Sequence, residues 1–477
     1  MFQPIFRSRS QRQPMNRSTH PRKSIRSIIT AGLACAVAAA PLAAGALPVI
    51  PQLVGFGAQT PAGRGGKVYK VTNLNASGPG SLKACVDASG PRVCVFEVSG
   101  TIKANADLVI RNPKITIAGQ TAPSPGIMWR GGALWVATSD VLVQHMRFRA
   151  GDDPNGPAYE NRDALKIVAM KGEVARNVVI DHCSFSWAVD ENVQVWTNWD
   201  DVTLTNNIIS EGLHDSFSPL GTGGYGLIVG PWDGKISMSG NLLANNYSRN
   251  PLSRASEMVF VNNVVYGSGN MDVDLQSEGL TTDNTIVGNV FIRGPKSNYS
   301  NKPVHVRNTG SWPVRPGSKI FVADNDAVEA TDDPWSVVDA TGGTVASAMR
   351  ASLPPSWPAG LTRLPAGDGV TLNRVLRNVG ARPADRDPVD TRIIKQVKDR
   401  TGQVINCVSA NGTARCNKNA GGWPTLAQNR RALNVPSDAN TVTASGYTKL
   451  EVWLQQMAAE VEGRSAKLPE APVLADK

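Results

Sequence analysis

The stretch Lys235–Tyr266, KISMSGNLLANNYSRNPLSRASEMVFVNNVVY, contains one pattern twice. In each copy, apolar residues in alternate positions lead to a turn containing Asn, and a few more apolar residues follow. Alternation bounded by turn residues predicts short, half-buried strands. The segment Arg249–Arg254 between the copies is then held at both ends by strands, a placement that suits binding or catalysis. Its two guanidinium groups suit a carboxylate or phosphate, although the hexapeptide alone also fits a plain solvated loop.

The same unit recurs on both sides of this stretch. It appears as VVIDHCSF, VTLTNNII, ISMSGNLL, MVFVNNVV and NTIVGNVF between residues 178 and 291. Aligning these five segments with the earlier segment VLVQHMRF, residues 141–148, places six residues in one column: Met146, Cys183, Asn207, Asn241, Asn263 and Asn289. Short strands that recur with a basic period in the low to mid twenties indicate a solenoid, and neither a leucine framework nor a propeller period near 40 is present. The sequence therefore predicts an all-β parallel β-helix with a stacked Asn ladder, in which Cys183 is a buried thiol.

The N-terminal segment predicts export. Residues 1–46 carry seven Arg or Lys and no acidic residue, followed within the segment by an Ala-rich apolar run and the small residues Ala44-Gly45-Ala46. This is the pattern of a secretory signal peptide, so we expect a secreted protein, extracellular or periplasmic. Removing the segment reduces the net charge of +10 to about +3, which argues against nucleic acid as a partner. No later segment is long and apolar enough to span a bilayer, and we expect no membrane association.

The remaining chain divides by pattern into two regions. Residues 47–330 are expected to form the β-helix domain, and the loop-rich residues 331–477 are expected to pack on it or cap one end. One or two short helices are predicted in the second region, at residues 389–398 and 447–460. We expect the protein to be a monomer.

Four cysteines form two closely spaced pairs. Cys85 and Cys94 are nine residues apart, as are Cys407 and Cys416, and each pair brackets a turn signal. Export permits oxidation, so two local disulfides are predicted. The alternative is four unpaired thiols, because sequence alone does not determine connectivity.

Acidic and amide residues upstream of Arg249 suggest a cation site. If Val193 and Val195 point inward, strand alternation turns Asp190, Asn192 and Gln194 outward. Together with Asp163, which opens an earlier strand, these residues would offer oxygen ligands suited to Ca²⁺. A row of solvated acids is the alternative.

Insertions in a solenoid map to loops, often on the binding face. The largest are Gly151–Arg162, Gly212–Gly234, the Arg249 segment and Lys296–Ser318. If they project from one side, they would wall a groove suited to an extended polymer.

Several motifs in order resemble a known family. They are GFGAQTPAGRGG at 55–66, GPGSLKACV at 78–86, ITIAGQTAPSPGI at 115–127, DVLVQHMRFRAGDD at 140–153, IDHCSFSWAVDENVQVW at 180–196 and SRNPLSR at 248–254. Over residues 55–295 the chain resembles the exported pectate lyases of polysaccharide lyase family 1. The resemblance implies a right-handed parallel β-helix and Ca²⁺-assisted cleavage of polygalacturonate by β-elimination.

The resemblance also implies roles for individual residues. Arg249 matches the proposed catalytic base, and Arg254 matches a residue that binds a substrate carboxylate. Asp163, Asp190 and Gln194 match the calcium positions; Gln194 stands where an acid is usual, and the neighbouring Glu191 could compensate.

One departure from the family concerns a lysine on the coil before the arginine. The matching stretch, SEGLHDSF at residues 210–217, has no lysine and contains His214, a candidate substrate-binding residue. Two other functions therefore stay open: a glycoside hydrolase on the same scaffold, which needs two carboxyl groups beside the bond, and a non-catalytic polysaccharide-binding solenoid.

Overall fold

The computed structural model describes residues 47–219 and 221–464. The predicted signal peptide, residues 1–46, lies outside the described residues. Across the part of the chain that is described, no helix is long and apolar enough to cross a membrane.

Short strands make up most of the described chain. In chain order they are β1 Lys67–Val71, β2 Arg92–Phe96, β3 Gly100–Lys103, β4 Leu108–Ile110, β5 Ile115–Ala118, β6 Ile127–Arg130, β7 Leu134–Val136, β8 Val141–Gln144, β9 Met146–Arg149, β10 Leu165–Ile167, β11 Ala175–Asp181, β12 Ser184–Ser186, β13 Glu191–Val195 and β14 Trp199–Thr205. They continue as β15 Ile208–Ser210, β16 Tyr225–Val229, β17 Lys235–Ser239, β18 Leu242–Ala244, β19 Leu252–Ser253, β20 Glu257–Val261, β21 Val264–Tyr266, β22 Val273–Leu275, β23 Asp283–Val287, β24 Val290–Ile292, β25 Val304–Val306, β26 Lys319–Ala323 and β27 Val338–Ala340.

Successive strands pair in parallel with strands of the next coil and form three sheets. Sheet 1 has the order β1-β2-β5-β8-β11-β14-β17-β20-β23-β26, sheet 2 has β27-β25-β22-β19-β16-β13-β10-β7-β4, and sheet 3 has β24-β21-β18-β15-β12-β9-β6-β3. Each complete coil therefore contributes one strand to each sheet, which confirms the predicted parallel β-helix. The strand pairing continues past residue 330, as far as β27.

The inside of the coil is filled by apolar side chains stacked in register. One such row crosses sheet 1 and is fully or almost fully buried: Ile117, Val143, Ile180, Leu204, Met238, Phe260 and Ile286. At the corner between sheets 1 and 3 an Asn ladder satisfies the backbone. The Oδ1 atom of Asn207 accepts the N–H of Cys183 at 2.8 Å, and Asn241 does the same for Asn207 at 2.9 Å. Cys183 is completely buried in its predicted ladder position, and Asn325 extends the ladder beyond the predicted column.

Four α-helices lie in the described residues: α1 Leu82–Asp87, α2 Val370–Asn378, α3 Pro388–Asp399 and α4 Lys449–Glu462. The last two confirm the predicted helices. The sequence did not indicate α1 because six residues are too few to show a helical period, and α2 was also missed. Short 3₁₀ turns occupy Gly119–Thr121, Tyr159–Asn161, Pro334–Val337, Ser347–Met349 and Arg415–Asn417.

The helices cover different parts of the β-helix. Helix α1 buries Leu82 and Val86 in the core beside β1 and β2, and the Cys85–Cys94 disulfide ties it to β2. Helices α2 and α3 pack on the outside of sheet 3, and α4 packs on the outside of sheet 1. The second predicted disulfide, Cys407–Cys416, is also formed.

A buried group of ionisable side chains joins the end of α4 to the corner between sheets 1 and 3. This α4 anchor consists of His145, Asp181, His182, Glu462 and Arg464. The Nδ1 atom of His182 lies 2.7 Å from Asp181, and the Nε2 atom of His145 lies 3.3 Å from Glu462. Burial by itself would lower the pKa of His182, but the carboxylates of Asp181 and Glu462 outweigh it and raise that pKa. Burial lowers the pKa of His145. The charged form of His182 therefore helps to hold α4 in place.

Candidate functional site

Three carboxylates meet where β10 and β13 begin in sheet 2. Asp163 precedes β10, Asp190 precedes β13, and Glu191 is the first residue of β13. One oxygen from each lies within 4.8 Å of the others, and we call this group the acid cluster. Asp163 is completely buried, and its Oδ1 atom accepts the N–H of Glu191 at 3.0 Å. Among the described residues, its Oδ2 atom is buried without any hydrogen-bond partner.

The carboxylates of the acid cluster are largely buried and only partly paired with cations. Burial raises the pKa of Asp163 well above its usual value, and burial also raises the pKa of Asp190. The Nζ atom of Lys166 lies 3.9 Å from Asp163 Oδ2 but is closer, at 3.2 Å, to Asp107. A buried carboxylate oxygen without a partner is costly, and three carboxylates are a donor set for a hard cation. The residues present therefore fit Ca²⁺.

The outward orientation predicted by strand alternation is wrong for Asn192. Its side chain is completely buried and donates to the carbonyl of Ser210 and to Asn246 Oδ1. Strand β13 begins at a corner of the coil, where the chain bends, so alternation fails there and Glu191 can join the acid cluster. Gln194 lies three residues along β13, in register with Lys166. No hydrogen bond between Gln194 and the acid cluster occurs among the described residues.

Arg249 is held by the backbone of its neighbours. Its carbonyl accepts the N–H of Leu227 at 2.6 Å, and the following N–H, of Asn250, donates to the backbone carbonyl of Asp272 at 2.8 Å. Its φ of 59° lies in the left-handed region, which is uncommon for a long side chain. A Cβ atom at Gly226 would come within 2.3 Å of Asn250 Oδ1, so a glycine there lets the arginine segment approach β16. The segment contains strand β19 and is not a plain loop.

The side chain of Arg249 lies beside the acid cluster. Its Nη1 atom donates to Glu191 Oε1, and its guanidinium carbon is 3.7 Å from the centre of the Tyr225 ring. The side chain is 27% exposed, so a ligand could reach it from solvent. Burial lowers the pKa of Arg249, while the charge of Asp190 opposes that change.

Tyr225 is a site residue that sequence reasoning missed. It begins β16, on the coil immediately before Arg249, and pairs in register with Glu191. Its ring supports the Arg249 guanidinium, and its hydroxyl donates to the carbonyl of Thr222 at 3.1 Å. The sequence does contain a signal for Tyr225, because it is the aromatic residue that opens the apolar strand YGLIV on this coil. The prediction for the coil before Arg249 instead rested on the stretch at residues 210–217.

His214 lies near the same coil. Its ring stacks on Tyr247 with the centroids 3.7 Å apart, and its Nδ1 atom is 2.9 Å from the carbonyl of Gly223. Tyr247 is two residues before Arg249, so His214 is close to the arginine segment in the fold. No described contact joins His214 to the acid cluster.

Arg254 follows β19 and lies on the outer face of sheet 2. Its Nε atom donates to Gln276 at 2.9 Å, and its Nη1 atom donates to Glu278 at 2.7 Å. Burial lowers the pKa of Arg254, with Glu278 acting in the opposite direction. The two arginines therefore flank one short strand and have different partners.

Comparison with known proteins identifies extensive relatives. The chain is 30% identical over 444 residues to a probable pectate lyase C of Neosartorya fischeri, covering 90% of this chain and 98% of the relative. It is 31% identical over 445 residues to a probable pectate lyase C of Aspergillus fumigatus, with the same coverage. No family model matches the chain.

Solved structures of similar fold include two bacterial enzymes. A pectate lyase from Bacillus sp. N165, solved with trigalacturonate, has a TM-score of 0.48 at 15% identity and covers 69% of this chain and 98% of its own. Pectate lyase II of Xanthomonas campestris has a TM-score of 0.43 at 15% identity and covers 70% of this chain and 100% of its own.

Proposed function

Because the chain belongs to the pectate lyase family, we propose that it cleaves polygalacturonate by β-elimination. In this reaction a base removes the proton on C5, which lies α to the uronate carboxylate. The glycosidic oxygen leaves C4 with the bonding electrons, and a double bond forms between C4 and C5. The observation that carries the proposal is the contact between Arg249 and the acid cluster, which joins a cationic group and a cation site at one place.

The acid cluster would bind Ca²⁺ through Asp163, Asp190 and Glu191, with Gln194 as a further oxygen donor on the same strand as Glu191. The bound ion would pair with the substrate carboxylate and stabilise negative charge that develops next to it. The unpartnered Oδ2 atom of Asp163 supports this assignment, because a cation would satisfy it. Asp163 also fixes the position of Glu191 by accepting its backbone N–H.

Arg249 takes the C5 proton in this proposal. Glu191 contacts the Arg249 guanidinium and would also be a ligand of a bound cation, and sharing Glu191 in this way would weaken its hold on the positive charge of Arg249. A buried guanidinium beside positive charge is easier to deprotonate than one in water. Tyr225 keeps the guanidinium plane in place throughout, since its ring lies 3.7 Å below.

Arg254 and His214 bind the substrate in this proposal. Arg254 uses Nε and Nη1 for Gln276 and Glu278. Its Nη2 atom, for which the described residues show no partner, can then donate to a uronate carboxylate. The His214 ring, stacked on Tyr247 near the arginine segment, offers its Nε2 atom to a sugar hydroxyl.

The substrate also fits the predicted route of export. A plant cell-wall polysaccharide is outside the cell, and residues 1–46 have the pattern of a signal peptide. We propose that the exported protein is a monomer. N-terminal sequencing of secreted protein and its elution volume on gel filtration test these two points.

The defining experiment measures the increase in ultraviolet absorbance as unsaturated product forms from polygalacturonate, once with added Ca²⁺ and once with chelator. The new double bond is conjugated with the carboxylate and absorbs ultraviolet light. Arg249→Ala should reduce turnover by at least about 10³-fold if the base is lost, and Arg249→Lys should not restore it. Arg293→Ala is the matched control, because Arg293 also stacks on a tyrosine and pairs with a glutamate.

The outcomes distinguish the alternatives. Reducing ends without new absorbance would indicate hydrolysis. Binding without depolymerisation would indicate a non-catalytic solenoid. Appreciable turnover by Arg249→Lys would contradict a specific base role and leave Arg249 as a charge clamp.

A further inference from the structure

Arg254 belongs to a row of residues that crosses sheet 2 from coil to coil. The backbone N–H of each member donates to a backbone carbonyl at the corresponding position of the preceding coil. The members are Trp196, Gly230, Arg254, Gln276 and Arg307. The Trp196 ring lies over Gly230, where a Cβ atom would be only 2.3 Å away. Neighbouring strands lie about 4.8 Å apart, so the row is a track that an extended polymer can contact repeatedly.

Trp312, from the insertion at 296–318, covers this track at Arg254, its middle member. The guanidinium carbon of Arg254 lies 3.9 Å from the centre of the Trp312 ring and 6.0 Å from the centre of the Trp196 ring. The Arg254 side chain is only 7% exposed, whereas Trp312 is 45% exposed. Part of the indole therefore meets Arg254 and much of it meets solvent.

The backbone of Trp312 is held in an unfavourable conformation. Its φ is 56°, a costly value for a bulky residue, and Pro313 follows it. Two hydrogen bonds hold the loop: Ser277 N–H donates to the Trp312 carbonyl at 3.1 Å, and Val314 N–H donates to the Arg307 carbonyl at 2.6 Å. The loop is thus fixed by the neighbouring coil, while nearly half of Trp312 stays exposed to solvent. Such strain is typical of functional positions.

A galacturonate unit has chemistry that matches both groups. One face of its pyranose ring is lined by C–H groups, which pack on an aromatic face, and its carboxylate pairs with a guanidinium. Glu278, the present partner of Arg254, has a side chain that is 41% exposed, so it can turn to solvent when a substrate carboxylate arrives.

We propose that Trp312 and Arg254 form a sugar-binding subsite for an acidic polysaccharide. Arg254 holds the carboxylate of one unit, and Trp312 stacks on the ring of a neighbouring unit beyond it along the track. This inference rests on the proposed function, since it names how the same groove binds its substrate. Trp312 binds substrate and takes no part in the chemical step.

The test compares Trp312→Ala and Trp312→Phe with wild type on hexagalacturonate and trigalacturonate. Trp312→Ala loses one stacking contact and should raise the KM for hexagalacturonate about tenfold, while kcat stays within about twofold of wild type. Trp312→Phe keeps an aromatic ring and should have a KM close to that of wild type. The effect should be smaller for trigalacturonate, which spans fewer subsites. Trp335→Ala is the control, because Trp335 also stacks on an arginine, Arg350, at 4.5 Å.

Tryptophan fluorescence provides a second readout that does not need turnover. Hexagalacturonate, added in chelator, should quench the wild type and Trp335→Ala but quench Trp312→Ala much less. If wild type cleaves polygalacturonate and folded Trp312→Ala keeps its KM and its quenching, the subsite is refuted while the proposed function stands. If wild type binds with Trp312-dependent quenching but releases no unsaturated product, the proposed function is refuted while the subsite stands.

Discussion

Asp163→Asn tests whether the acid cluster is a calcium site without relying on activity. The substitution keeps the size of the side chain, and the amide oxygen can still accept the Glu191 N–H. It removes the charge and the unpartnered oxygen. In chelator the variant should therefore unfold at the same temperature as wild type or higher, because a neutral amide is easier to bury than a carboxylate. With Ca²⁺ the order should reverse.

The size of the effect follows from linkage. An ion at 100 times its Kd stabilises the folded protein by about 2.7 kcal/mol. Unfolding about 420 residues carries an entropy of roughly 0.9 kcal/mol/K, at about 2.1 cal/mol/K per residue. Calcium should therefore raise the wild-type Tm by about 3 °C, and Asp163→Asn should lose most of this shift.

The assay is thermal unfolding, monitored by circular dichroism, at several calcium concentrations. Asp274→Asn is the matched control, because Asp274 is a buried carboxylate of the same sheet that pairs with Arg307 outside the acid cluster. It should lower the Tm but keep the calcium shift. An undiminished shift in Asp163→Asn would refute the ligand assignment, and a lower Tm in chelator would show that the Asp163 carboxylate is itself stabilising.

Three further predictions concern the scaffold. Replacing both Cys85 and Cys94 by Ser should lower the free energy of unfolding by about 2.6 kcal/mol, from the nine-residue separation, and no change in denaturant midpoint would contradict this. Cys183→Asn should leave the free energy of unfolding unchanged or raise it by up to about 1 kcal/mol. The reason is that an Asn amide at this ladder position can donate to the carbonyl of Val143, which Cys183 Sγ now faces at 3.7 Å. Marked destabilisation would contradict this reasoning. His182 has a raised pKa in the α4 anchor, so its contribution is complete below pH about 6.5 and is lost as pH rises through the folded-state pKa. In His182→Gln, the free energy of unfolding should no longer fall as pH rises through this range. The pKa of His145 is lowered, so its effect has the opposite sign: urea unfolding of the variant should still show a loss of stability as pH falls below about 6.5.

The sequence predicted the scaffold well because each coil of a solenoid contacts mainly its neighbours. The column from Cys183 to Asn289 became a real hydrogen-bonded ladder, since a short period places equivalent residues directly above one another. The pairings of Cys85 with Cys94 and of Cys407 with Cys416 were predictable for the same reason, as both are local.

The site was predicted less completely, because it forms where the repeat is interrupted. Residue parity placed Asn192 outward, but the corner before β13 turns it into the protein. Tyr225 was missed since the insertion before β16 hides which residue lies on the coil before Arg249. The repeat period cannot be followed through such an insertion, so the sequence does not show which residue re-enters the coil after it.

The sequence by itself determined the coil, its period, the ladder and the two arginines at the ends of RNPLSR, because these depend on local alternation and on repeats between adjacent coils. Only the tertiary structure decided what those arginines meet. Glu191 and Tyr225 contact Arg249, and Trp312 covers Arg254. These contacts join positions 24 to 58 residues apart through corners and insertions, and the path of those segments is decided by packing against neighbouring coils rather than by local pattern.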